Sequence, residues 1–304
     1  MRVAAFDCGT NSIRLLIAVI DGNNFREIYR GMEIVRLGQG VDKTGEFHPD
    51  AIARTLKAID NFTVELRRRG VEKLRFVATS ATRDAKNRDL FLEGVHDLLG
   101  IYPEVISGDE EAALSFQGAS RELPASEAPF LVVDIGGGST EFVFGRTDVE
   151  AAKSVNIGCV RMSERHFRSD PPSDEEIALA TADIDAAIQA AAKVVPITKA
   201  RTLIAVAGTA TTVAAAALGL SEYDPRAIHL SRVSAERVHE ISKVFLEMTH
   251  DRRKALPYMH EGRVDVITAG SLVLSRIMIA TGAEEFVASE SDILDGMAWS
   301  LAKS

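Results

Sequence analysis

Leu131-Val132-Val133-Asp134-Ile135-Gly136-Gly137-Gly138-Ser139-Thr140-Glu141-Phe142-Val143-Phe144-Gly145 is a short apolar run that enters a turn of three glycines and leaves it through a second apolar run. The pattern predicts strand, tight turn, strand. Glycine tolerates φ > 0 and carries no Cβ, so successive glycines let the backbone bend and several amide N–H groups converge, which suits phosphate oxygens. Outward from this stretch, the N-terminus carries the same phrase in Ala4-Ala5-Phe6-Asp7-Cys8-Gly9-Thr10-Asn11-Ser12-Ile13-Arg14-Leu15-Leu16-Ile17. Superposing the two sets Asp7 on Asp134, Gly9 on Gly136 and Ser12 on Ser139. An acid ends the first strand, a glycine makes the turn and a hydroxyl faces a ligand. One such turn alone reads as an ordinary β-hairpin. Two that share D-x-G-x-x-S predict a duplicated unit, and therefore two lobes that each present a turn to a shared cleft.

The totals bound the function. With 304 residues, 46% hydrophobic and 26% charged, the chain can bury a full core and exceeds one average domain. A formal net charge of −9 argues against a general nucleic-acid binder or a protein of anionic membrane surfaces. A polyanionic substrate then requires a locally basic site or bound cations. The two cysteines, Cys8 and Cys159, are too few for a disulfide framework or a zinc site and predict a reducing, cytoplasmic setting. Cys8, inside the first turn, reads as a small buried residue. The apolar run from Ile13 to Ile20 is broken by Arg14 and too short to span a bilayer.

Between and beyond the two turns, Gly31 to Asp42 reads as a strand and a glycine-rich loop, where Arg36 and Lys43 could face an anion or be ordinary surface charges. Residues 49 to 69 carry apolar positions at helical spacing, closed by Gly70. Leu74 to Thr79 reads as a buried strand that delivers Arg83 to its carboxyl end, where α/β sheets gather ligands. Arg83 reads as a phosphate-binding guanidinium, and a helix-start salt bridge accounts for it as well. Ser107 and Glu110 form a capping-box pattern that opens a helix with Asp109, Glu110 and Glu111; these acids complement the helix dipole whether or not one is catalytic. Residues 122 to 129 are the expected hinge. Val155 to Arg161 reads as another strand and turn, and Ser173 as a helix start. Leu203 to Ala214 reads as strand, glycine turn and helix, either a third anion point or an ordinary βα turn with a threonine cap. A long apolar helix is expected to about Ile279, a short strand at Phe286 to Ala288, and a closing helix that holds Trp299.

Taken together, the two D-x-G-x-x-S turns, Val-Asp-Ile-Gly-Gly-Gly-Ser-Thr-Glu (133–141) and Ile-Ser-Gly-Asp-Glu-Glu-Ala (106–112) resemble the exopolyphosphatase and guanosine pentaphosphate phosphohydrolase family. So do Ala-Thr-Ser-Ala-Thr-Arg (78–83), Ile-Gly-Cys-Val-Arg (157–161) and Ala-Gly-Thr-Ala-Thr-Thr (207–212), so the resemblance spans essentially the whole chain. It implies an α/β fold of two actin-like (ribonuclease H-like) lobes, each a mixed sheet with flanking helices, with the active site in the interlobe cleft. The expected lobes are residues 1–124, completed by a C-terminal helix within 289–304, and residues 125–288. Glu111 matches the family's general base. Asp134 and Glu141 match acids around a divalent cation, Mg²⁺ or Mn²⁺, and the question of a K⁺ requirement stays open. Gly136, Gly137, Gly138 and Ser139 match the phosphate loop of the second lobe, Asn11 and Ser12 that of the first, and Arg83 a phosphate-pairing arginine.

The implied activity is release of terminal phosphate from inorganic polyphosphate, guanosine pentaphosphate or both, by Glu-activated water, in a homodimer that engages neither nucleic acid nor membrane. A small-metabolite kinase of the same fold and a non-catalytic sensor of phosphorylated ligands are the alternatives. Residues 289–297 follow the family's usual Arg-Glu-Gly-Leu ending only loosely, which leaves their contacts open. The further C-terminal helical domains of longer members have no counterpart in this sequence, which favours short polyphosphate chains or the nucleotide.

Overall fold

The computed structural model describes residues 1–22 and 24–303. It divides into two compact units, one formed by Met1–Gly118 with the C-terminal stretch from Ile293, the other by Ala119–Asp292.

In the first unit the N-terminal phrase folds into β1 (Arg2–Cys8) and β2 (Ser12–Asp21), paired antiparallel, with β3 (Asn24–Ile34) continuing the meander. β1 and β2 are buried almost throughout, which explains their near-continuous apolar character. β4 (Lys73–Ala78) returns parallel to β1, and β5 (Glu104–Val105) lies parallel to β4. The sheet order is β3-β2-β1-β4-β5. The crossover helix Pro49–Arg69 lays Ile52, Ala58, Ile59 and Phe62 on one face and ends at Gly70 in the left-handed region, as its spacing predicts. Phe62 meets Phe6 edge-on at 5.9 Å, and Phe6 stacks on Phe76 at 5.0 Å.

The other face of this sheet is covered by the helix Ile293–Lys303. Its Leu294, Met297 and Ala298 pack on Val3, Ala5, Leu16 and Ala18, and Trp299 lies 5.4 Å from Phe25. Gly296 allows this helix to approach closely, because a Cβ there would meet the Leu114 carbonyl oxygen at 2.1 Å. Ser304, the last residue of the expected 289–304 segment, lies outside the described residues.

The second unit repeats the plan. The glycine stretch forms β6 (Phe130–Ile135) and β7 (Thr140–Gly145), followed by β8 (Val149–Val155), β9 (Thr202–Val206), β10 (Arg232–Ser234) and β11 (Glu285–Ala288). The order is β10-β11-β9-β6-β7-β8. Read outward from β6, an antiparallel meander β6-β7-β8 stands on one side and parallel β9 and β11 on the other. This is the first unit's arrangement with one edge strand added, so both are the ribonuclease H-like α/β units that the duplicated phrase and the family resemblance predict.

The segment 155–161 differs from its expected strand and turn. The strand ends at Val155 and Cys159–His166 is a helix. Its apolar positions Cys159, Val160 and Met162 are buried at helical spacing over a stretch too short to distinguish from a strand by pattern.

Candidate functional site

Because β1, β4 and β5 run parallel, their carboxyl ends share one edge of the first sheet. Three predicted segments gather there. The turn Gly9–Asn11 closes with the Gly9 N–H donating to the Ser12 carbonyl at 3.0 Å, and the Thr79 N–H reaches the Cys8 carbonyl at 3.1 Å. Asn11 is buried and its carbonyl accepts from the N–H groups of Val35 and Arg36, while the Thr10 carbonyl accepts from Gly38. In a trans peptide the C=O and the following N–H point in opposite directions. The amides of Asn11 and Ser12 therefore turn away from the 35–38 loop. Arg36 occupies the left-handed region (φ 50°), a strained conformation for a residue with a side chain, in making this brace. Lys43 is exposed on the short helix Val41–Thr44.

Arg83 and Glu111, read from separate motifs, form one ion pair. The Arg83 Nη1 donates to Glu111 Oε2 at 2.7 Å and to the Ile106 carbonyl at 3.0 Å. Arg83 sits on the five-residue helix Ser80–Asp84 after β4, and Glu111 in the first turn of the helix Gly108–Ser120 after β5. Glu111 is 9% exposed. The two residues expected as phosphate-pairing cation and general base thus form one ion pair. The Ser107 hydroxyl caps its helix by accepting from the Glu110 N–H at 3.2 Å, while the Glu110 carboxylate turns to Arg75 at 2.7 Å.

The first-turn acid Asp7 stands directly opposite Arg14 across the β1–β2 ladder and accepts from its Nε at 3.0 Å and its Nη2 at 2.6 Å. At the matching place in the second unit, Asp134 stands opposite Glu141. The duplicated phrase therefore carries an acid–base pair in one unit and an acid–acid pair in the other. Glu141 is fully buried, and its Oε1 accepts from the hydroxyls of Ser139 and Ser154, each at 2.7 Å. Ser139, 2% exposed, thereby spends its hydroxyl proton inward, and what it can present to a ligand is its amide.

The glycine turn takes its shape from outside itself. The carbonyl of Gly136 accepts from the Cys159 N–H at 2.9 Å, that of Gly137 from Val160 and Arg161 at 2.9 and 3.1 Å, and that of Gly138 from Gly158 at 3.2 Å. The Arg161 Nε adds a bond to the Gly138 carbonyl at 2.7 Å. With three successive carbonyls held by the start of the helix Cys159–His166, the N–H groups of Gly137, Gly138 and Ser139 turn to the opposite side and make an anion cradle. The expected φ > 0 is not what Gly136 supplies, since it lies outside the left-handed region. The tight contact is at Gly158, where a Cβ would lie 2.3 Å from the Gly137 carbonyl carbon.

The carboxyl end of β9 bears the third expected anion point. The helix Ala207–Leu218 follows the strand at once, with Ala207 left-handed (φ 64°) and no side-chain cap, so the threonine-cap alternative is not realised. A residue that sequence reading missed lies here. A Cβ built on Gly208 would fall 1.5 Å from Arg263 Cζ, so the guanidinium lies flat on that glycine. A cation at a helix N-terminus adds to the dipole's positive end, and the two together favour an anion. Tyr223 closes one side. Its phenol lies 2.7 Å from both Thr211 Oγ1 and Glu290 Oε1, and burial and the Glu290 charge push it well above its ordinary pKa. A phenol has one proton and a carboxylate only accepts, so Tyr223 donates to Glu290 and Thr211 donates to Tyr223.

The divergent 289–297 stretch has a definite place. The Ser289 N–H donates to the Ala205 carbonyl at 3.1 Å, and the Glu290 N–H to His229 Nδ1 at 3.2 Å. The Ser291 hydroxyl donates to Glu122 at 2.6 Å. Burial raises the thiol pKa values of Cys8 and Cys159, which leaves both as packing residues. Among the described residues, no cluster of three or more His, Cys, Asp or Glu side chains forms a metal cage, and no helix is long and apolar enough to cross a membrane.

Comparison with known proteins places the chain among its relatives. The chain is 47% identical over 314 residues to Exopolyphosphatase 2 of Mycobacterium tuberculosis, covering 99% of this chain and 98% of that protein. It is 35% identical over 189 residues to the guanosine-5'-triphosphate,3'-diphosphate pyrophosphatase of Photobacterium profundum, 62% of this chain and 36% of that protein. The crystal structure of an exopolyphosphatase-like protein superposes with a TM-score of 0.96 at 43% identity, covering 100% of this chain and 99% of the other. The profile of the Ppx/GppA phosphatase family matches residues 16–304. By sequence and by architecture, the chain belongs to the Ppx/GppA phosphatase family.

Proposed function

We propose that this protein hydrolyses the terminal phosphoanhydride bond of short inorganic polyphosphate, guanosine pentaphosphate or both. One observation carries the reading: directly opposed carboxylates, Asp134 and Glu141, stand beside a turn whose amides of Gly137, Gly138 and Ser139 are all turned to one side. Amides offer donors to phosphate oxygens, and hard carboxylate oxygens suit a divalent cation, which commonly keeps waters and substrate phosphates as its other ligands. Mg²⁺ or Mn²⁺, held through Asp134 with Glu141 behind it, would offset the charge of the phosphoryl group. The exopolyphosphatase and pyrophosphatase names of the relatives support the substrate class.

The chain's own residues divide the work. Glu111 serves as general base, taking a proton from the attacking water, and its bond to Arg83 fixes the direction of the carboxylate. Arg83, the amides of Asn11 and Ser12, and Arg263 at the helix start supply donors for equatorial phosphate oxygens. The same reading places the protein in the cytoplasm as a homodimer that binds neither nucleic acid nor membrane. The two thiols outside any disulfide and the net charge of −9 are consistent with it, and sedimentation tests the dimer. The function is tested by measuring phosphate release from tripolyphosphate, longer defined chains and guanosine pentaphosphate, with and without Mg²⁺ and with no acceptor alcohol. Release that needs Mg²⁺ but no acceptor is expected; turnover only with an acceptor would make it a kinase.

A further inference from the structure

We propose that Arg253 is a positioning residue for Arg263: it locks the segment from Met248 to Val264 into the shape that lays the Arg263 guanidinium over Gly208. The proposal rests on the reading of the Ala207–Leu218 helix start as a phosphate-binding point. Arg253 is 5% exposed and lies on the five-residue helix His250–Lys254. A buried guanidinium is costly unless its donors are met, and here each arm reaches a different part of the chain. Its Nε donates to the Val264 carbonyl at 3.1 Å, its Nη1 to the Met248 carbonyl, and its Nη2 to Asp170 Oδ1 at 2.9 Å. Val264 directly follows Arg263, and Met248 opens the segment, so one planar group ties both ends of the excursion that carries Arg263.

The anchor is itself fixed. Asp170 Oδ2 accepts the His250 N–H at 2.7 Å, which closes a ring of Asp170, His250 and Arg253. Burial acts to raise the Asp170 pKa, but the His250 N–H and the Arg253 guanidinium outweigh it and hold the carboxyl below its ordinary range. Inside the excursion, the backbone bonds are short-range turns, from Leu256 to Arg253, Met259 to Leu256 and Arg263 to His260. The side-chain ties from Lys254 to Glu261 and from His250 to Asp265 join half-exposed or exposed groups and screen readily. Leu256, Tyr258 and Met259 pack the middle of the excursion against the core, and the buried fork fixes its two ends, the second of them next to Arg263. Lysine cannot replace Arg253, since a single ammonium can meet Asp170 but cannot fork to two carbonyls that face different directions.

A double-mutant cycle separates positioning from bulk stability. Arg253→Lys, Arg263→Ala and the double variant are purified, and KM and kcat for phosphate release from tripolyphosphate with Mg²⁺ are measured beside Tm. Arg263→Ala is expected to raise KM about tenfold, the loss of one charged hydrogen-bonding group, and Arg253→Lys to raise it similarly. The double variant is expected to be no worse in KM than Arg263→Ala alone, because a side chain that is gone cannot be mispositioned. An equal KM penalty for Arg253→Lys in both backgrounds would overturn the proposal and leave Arg253 a fold-stabilising residue. No effect of Arg263→Ala on either constant would overturn the phosphate reading of the helix start, and the positioning role with it. If Arg253→Lys fails to fold, Asp170→Asn, which keeps the arginine and loosens one arm, runs through the same cycle with the same two outcomes.

Discussion

At the scale of single residues, the site is built from pairs, and each pair makes a role testable. Glu111 and Arg83 come from motifs 28 residues apart and meet at 2.7 Å. Glu111→Gln keeps the size and a hydrogen-bond acceptor for Arg83 but removes the base, so kcat is expected to fall by about 10²–10⁴ with the fold intact. Steady-state rates together with an unchanged circular dichroism melt check it. At Gly208 the pairing is steric. An alanine Cβ would collide with the flat of the Arg263 guanidinium, and since that group is the end of a flexible side chain, it and not the backbone would yield. Gly208→Ala is therefore expected to raise KM about tenfold, the effect of one displaced charged donor, without lowering Tm. Glu111, Arg83 and the glycine turn were legible in the sequence because each sits in a short motif at a strand end. Arg263 was not. It lies on an excursion without periodicity, and only the tertiary path, tied at Arg253, delivers it to Gly208.

At the scale of elements, capping and close approach explain both what was read and what was misread. The helix Asp174–Ala192 begins as its sequence predicts, with Ser173 and Glu176 forming a reciprocal capping box. Bonds to Glu176 from the Ser169 hydroxyl and the Ser173 N–H lower its pKa to about 2. A carboxyl whose folded pKa is depressed contributes stability above its unfolded pKa and loses it as pH falls toward the folded value. Tm is therefore expected to drop between about pH 4.5 and pH 2, with Glu176→Gln flattening that limb relative to the wild-type melt series. The helix Cys159–His166 is too short for its pattern to distinguish it from a strand, and the partners of its first amides are not local. Its first amides serve the carbonyls of a turn some twenty residues earlier in the chain. That dependence exposes Gly158, whose Cβ would strike the Gly137 and Gly138 backbone. Backbone cannot step aside as a side chain does, so Gly158→Ala is expected to cost about 1–3 kcal/mol in chemical denaturation and to raise KM by disturbing the amide cradle.

At the scale of the whole molecule, one strand order was used twice and given two electrostatic versions. The duplication was visible from D-x-G-x-x-S, and the repeated order of meander and parallel strands bears it out. The two copies differ two residues past the motif, where Arg14 in one answers to Glu141 in the other. Arg14 places a built-in cation against Asp7, so the first unit's acid is already neutralised, whereas the second unit's opposed acids bring negative charge together in a buried place. Like charges on directly paired positions repel, and a proton or a cation offsets that repulsion. The two copies should then respond in opposite ways to removal of one carboxylate charge. Glu141→Gln keeps an acceptor for Ser139 and Ser154 and relieves the repulsion, so the protein without Mg²⁺ is expected to melt no lower than wild type while its affinity for Mg²⁺ falls about 10–100-fold. Asp7→Asn strips a partner from Arg14 and is expected to lower stability by about 1–3 kcal/mol while leaving Mg²⁺ affinity unchanged. Calorimetric titration with Mg²⁺, beside melts with and without it, reads both outcomes. Equal loss of Mg²⁺ affinity in the two variants would mean that the copies share the cation and that the assignment of the metal to Asp134 and Glu141 is wrong.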